Sequence, residues 1–175
     1  MFLVLPLLLL TVVPLSYSSD PIYILPIKDS SNWRYAINST KPLSSLNEFP
    51  TAKQISGVNF NESAEKWITV TPHFAEKQLI AFLNARLQKR PLLTMTRPPS
   101  EEMTAIARIF LPGLVKQQFE RIELGYYGQV SEDFVTAQVQ NGNPSPELTL
   151  TGKWPATVKD LLKTYQENEG TPHHS

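Results

Sequence analysis

Apolar residues are distributed along this chain in three patterns. The first is an almost unbroken run over residues 2–15, interrupted only by Pro6, Thr11 and Pro14. The second is a helical stripe. Leu79, Ile80, Leu83 and Leu87 recur at that spacing, behind Thr71 as an N-cap and Pro72 as a first helical residue. Pro91 is expected to end this helix. Met103, Ile106, Ile109 and Phe110 repeat the stripe behind Ser100, until Pro112-Gly113 stops or kinks it. Val158, Leu161, Leu162 and Tyr165 mark a last helix opening at Pro155 or Thr157.

The third pattern is β-prone. Trp67–Thr71, Leu92–Thr96, Val135–Val139 and Leu148–Thr151 read as strands, and residues 114–124 fit either a helix or a strand. Asn141-Gly142-Asn143-Pro144 is a turn signal, so the last strands are expected to form an antiparallel meander. Residues 19–66 carry Pro21, Pro26, Pro42 and Pro50, which bar long helices. They read as an irregular Pro/Ser/Asn-rich arm with short extended pieces at Ile22–Ile27 and Trp33–Ile37.

The predicted order is β-α-β-α-β-β-β-α after that arm. It implies an α+β domain over residues 67–167, with a small mixed or mainly antiparallel sheet and helices on one face. A polar tail, residues 168–175, follows. No internal repeat is evident.

Composition changes the reading of the apolar run. Every charged residue lies from Asp20 onward. Residues 1–18 therefore read as a signal peptide, with Ser16 and Ser18 as the small residues before a cleavage near Ser18. A retained membrane anchor is the alternative, although the run is shorter than the roughly 20 residues that span a bilayer. The chain has no Cys, which excludes disulfides, thiolate catalysis and Cys-ligated metals. Export without Cys points to a periplasm or a similar lumen. The net charge of +0 offers no field for nucleic acid, and no nucleic-acid partner is expected.

The candidate chemistry is sparse. Phosphate-loop, HExxH, GxSxG and EF-hand patterns are absent, and no metal or cofactor is expected. Glu101 and Glu102 fall in a first helical turn, where they oppose the macrodipole. His73 reads as a surface residue near a helix start, and His173 and His174 as part of the tail. Trp33, Tyr35, Trp67, Tyr126, Tyr127 and Trp154 could line a groove, but core packing explains them as well. Asn38 and Asn61 each open an N-glycosylation sequon.

The least random feature is a basic run between Glu76 and Glu101. It holds Lys77, Arg86, Lys89, Arg90 and Arg97 and no acid. On a continuing helix, Arg86, Lys89 and Arg90 would share one side. These five residues are the candidate site for an anion or an acidic partner. The expected function is an exported or membrane-tethered, non-enzymatic binding or accessory domain, acting on a protein partner or an anionic surface. The alternative is a small hydrolase or transferase assembled around His73 and Arg97.

Overall fold

The computed structural model describes residues 20–37, 43–61, 64, 66–141 and 146–169. Residues 1–18, read as a signal peptide or anchor, the residues beyond 169 and Asn38 lie outside them. Seven strands form one mixed sheet in the order β4-β2-β1-β3-β5-β6-β7. They are β1 (Asp20–Pro26), β2 (Trp33–Ile37), β3 (Ile55–Asn59), β4 (Ile68–Val70), β5 (Leu87–Met95), β6 (Arg121–Gly125) and β7 (Glu147–Thr151). The fold is α+β with a mixed sheet. β2 pairs antiparallel with β1 and β4, and the pairs β1–β3, β3–β5, β5–β6 and β6–β7 are parallel.

Helices cover one face. α1 (Pro72–Phe74), a π-helical segment (Ala75–Leu79) and α2 (Ile80–Arg86) run on as one rod. The Thr71 hydroxyl accepts the Phe74 N–H at its start, as the cap signal predicts. α3 (Glu101–Leu114), α4 (Gln129–Asn141) and α5 (Ala156–Glu169) follow β5, β6 and β7 in turn, each packing against its neighbour. Ser100 caps α3 by accepting the Met103 N–H. The α3 N-terminal N–H of Glu102, together with the Ser100 hydroxyl, holds the Glu102 carboxyl below its usual range.

The core lies between the sheet and this layer. Phe110 is fully buried, with the Trp33 ring 5.8 Å away and the Phe60 ring 5.4 Å away. Burial of an aromatic side chain of this size is worth several kcal/mol, about 3–5 by truncation.

Four expectations change. Residues 20–61 supply β1, β2 and β3, so the supposed arm forms the middle of the sheet. Ile22 and Ile24 alternate into the core there beside Tyr35, Ile55 and Val58, and proline falls near the ends of β1. Second, Val135–Val139 is helical. Over the longer window, Ser131, Phe134, Val135, Gln138 and Val139 are buried at helical spacing, and this stripe outweighs the short alternation. No antiparallel meander forms, because α4 carries the chain over to a parallel β7. Third, the first helix ends at Arg86 rather than at Pro91, since Leu87 already pairs with Ile55 of β3. Fourth, α3 continues through Pro112 to Leu114, and residues 121–124 of the ambiguous stretch join Gly125 in β6. At Gly113 a Cβ would meet Ile80 at 2.6 Å, so the glycine lets α2 and α3 close together.

Candidate functional site

The parallel strands have two ends, and the basic run is divided between them. At the N-terminal end, β3 and β5 begin side by side through the Ile55↔Leu87 pair. The turn before β3 and the end of α2 are thereby brought together. Thr51, Ala52, Lys53, Gln54, Ala85 and Arg86 line a cleft of about 420 Å³. Arg86 fixes one wall by donating from Nη1 to the Thr51 carbonyl oxygen. Lys53 on the other wall pairs with Asp20 at 3.6 Å.

Lys89 and Arg90 follow on β5, where the register with β3 shifts between Ile55 and Gly57. The chain bulges there, and Gln88 donates to the Ser56 carbonyl at 3.4 Å. Lys89 is exposed. Arg90 holds a left-handed backbone (φ 58°), costly for a residue with a Cβ, and its buried Nε has no acceptor among the described residues. Lys53, Arg86, Lys89 and Arg90 thus lie on one rim of the sheet. Because the helix ends at Arg86, the shared helical side expected for Arg86, Lys89 and Arg90 does not form. Strand pairing assembles the rim instead.

Lys77 and Arg97 are elsewhere. Lys77 lies on the exposed side of the π-helical segment and pairs with Glu76 at 3.7 Å. Arg97 follows the C-terminal end of β5, at the opposite end of the sheet from Arg86. There Asn61 ties the strand ends together. Its Oδ1 accepts the N–H groups of Thr96 (2.9 Å) and Arg97 (3.2 Å), and its Nδ2 donates to Thr96 Oγ1 at 2.5 Å. Arg97 donates from Nη2 to the Asn61 carbonyl at 2.9 Å. Tyr127 donates its hydroxyl to the Arg97 carbonyl at 2.6 Å, and burial pushes its pKa to about 12 despite the nearby Arg97 charge. This arrangement braces the fold. The Asn61 carboxamide, read as a glycan acceptor, is already committed to β5.

His73 and Arg97 do not meet. His73 is exposed after β4, and β2, β1 and β3 stand between β4 and β5. At about 4.8 Å per strand the two strands are roughly 19 Å apart. The aromatic residues do not share a groove either. Trp33 and Tyr35 lie in the core, Trp67 stacks under Arg34 at 4.5 Å, and Tyr126 meets Trp154 edge-on at 5.4 Å. Among the described residues there is no cluster of His, Asp or Glu that could hold a metal ion. None of the described helices is long and apolar enough to cross a membrane.

Sequence reasoning missed Lys53, and it named Asn61 only as a glycan acceptor. Lys53 has no local signal, because only the β3–β5 pairing brings it to Arg86. Asn61 does have one: Asn59-x-Asn61 is an Asx-turn spacing, and the Asn59 side chain accepts the Asn61 N–H at 2.8 Å. Compared with family models, with curated proteins and with solved structures, the chain matches none.

Proposed function

We propose that this chain is a non-catalytic binding domain, exported by its apolar leader, that holds an anionic group of its partner on the rim formed by Lys53, Arg86, Lys89 and Arg90. The observation that carries this reading is the basic cleft itself. Lys53 and Arg86 line it, Lys89 and Arg90 follow on β5, and among the described residues Asp20 is the one carboxylate paired with any of these cations. A guanidinium presents a planar fork of donors suited to a phosphate, sulfate or carboxylate. Lys89, exposed on β5, gives such a group a further cation beside that cleft. Partial exposure keeps each contact modest, so the affinity would come from several cations acting together.

Sedimentation with phosphatidylserine vesicles, against phosphatidylcholine vesicles and with inorganic phosphate as competitor, tests the reading. The double variant Lys89→Glu/Arg90→Glu should abolish binding, and rising salt should weaken the wild type. Binding that survives the double substitution would rule out the rim as the site.

A further inference from the structure

We infer that β7 is a self-pairing edge, through which two copies of this chain join antiparallel about a two-fold axis at Thr149. β7 is the last strand of the sheet, and among the described residues nothing pairs with its outer side. Its inward positions are also the least covered. Leu93, Ile122 and Leu148 form one row across β5, β6 and β7, and Met95, Leu124 and Leu150 form another. The β5 and β6 members are at most 1% exposed, whereas Leu148 and Leu150 are only half-buried. A further strand beside β7 would complete both rows.

The backbone specifies which strand fits. The Glu147 N–H donates to the Glu120 carbonyl, so Glu147, Thr149 and Thr151 direct their peptide groups toward β6. By strand alternation, Leu148 and Leu150 direct their N–H and C=O groups outward. A second β7 placed antiparallel about Thr149 sets Leu148 opposite Leu150 of the other copy, and Leu150 opposite Leu148. Both are hydrogen-bonded pairs, and together they use every outward group of the two leucines. The four leucines then meet on the helix side. Thr149 faces its own copy in the closer, non-hydrogen-bonded pairing, and Glu147 faces Thr151, so no like charges oppose.

Other registers fail. Centring on Leu148 sets Leu150 against Pro146, which has no N–H. Centring on Leu150 sets Leu148 against Gly152, which leaves the strand at φ 88°. Nor does β7 carry the usual protection of an edge: no Pro or Lys interrupts Glu147–Thr151. A second copy is therefore the occupant that meets both the hydrogen-bond pattern and the leucine rows. β6 stands between this edge and β5, and the proposal does not depend on the basic rim binding anything.

Sedimentation velocity of the purified full chain over rising concentration tests the pairing. The wild type should pass from monomer to dimer. Thr149→Arg and Thr149→Glu, at an exposed position, should each weaken association about fivefold or more by placing like charges across the axis. An equimolar mixture of the two should recover the wild-type dimer or exceed it. Leu150→Pro, checked for a native circular dichroism spectrum, should remain monomeric because it removes an outward donor from each copy. Assembly through the apolar leader would ignore Thr149, so a dimer unmoved by both charge variants overturns the proposal. A wild type that stays monomeric at high concentration overturns it too, as does a mixture that fails to recover the dimer.

Discussion

Asn61 offers the sharpest test of how the sheet ends are held. Replacement by Ala removes the acceptor for the Thr96 and Arg97 N–H groups and the donor to Thr96 Oγ1. At about 1 kcal/mol net for each hydrogen bond the sum is about 3 kcal/mol, and water reaching this half-buried site should reduce it to about 2. For a domain of this size that corresponds to a fall of about 5–8 °C in Tm. Asn61→Asp keeps the acceptor, and the Thr96 hydroxyl can turn to donate to the carboxylate. Its cost should stay below about 1 kcal/mol. Urea denaturation followed by tryptophan fluorescence measures both variants, and Thr96→Val serves as a third that loses only the side-chain bond. Equal destabilisation by Ala and Asp, or an Ala variant within 1 °C of wild type, would show that Asn61 does not brace β5.

Three further outcomes are expected. Burial holds the Tyr35 and Tyr127 hydroxyls protonated up to about pH 12. Because the folded pKa is raised above the unfolded value, the linked stability is intact below about pH 10 and is lost between there and about pH 12. Absorbance at alkaline pH should show these two tyrosines ionising late, together with unfolding. Gly57→Ala should destabilise by about 1–3 kcal/mol, because its Cβ would lie 2.6 Å from the Leu92 carbonyl oxygen where β3 and β5 pair. An unchanged urea midpoint would contradict that close approach. Ser100→Ala should cost about 1 kcal/mol through the lost N-cap of α3, read from the same urea curves.

Local signals were legible where the structure is made locally. Thr71-Pro72 and Ser100-Glu101-Glu102 start helices as their side chains dictate, and Leu148–Thr151 is a strand. The helix layer on one face and the mixed sheet also follow from the apolar patterns. Distant residues decide the rest. Asp20–Pro26 and Ile55–Asn59 carry too few residues to announce a sheet centre, and they acquire that role only by pairing with each other and with β5. Leu87 satisfies a helical stripe and a strand equally well, and its pairing with Ile55 settles the choice. The same event splits the basic run and recruits Lys53, a residue far away in sequence, to Arg86. Val135, Ala137 and Val139 alternate by coincidence within a helix whose stripe needs a longer window to be seen.

The central place of β1 bears on the order in which the molecule can form. Ile22 pairs with Val58, and Val58 with Leu93, so the first strand to be synthesised gains its inner neighbour only after a long loop closes. Each of these contacts carries the entropy of joining distant segments before it gains stability. The local β1–β2 hairpin must therefore wait, marginally stable alone, while the β5-α3-β6-α4-β7-α5 half gathers from shorter-range contacts. Folding should be slow for a chain of this length. Its late step should be the docking of the N-terminal hairpin along β3, which leaves the inner side of β3 open until the rest of the sheet has formed.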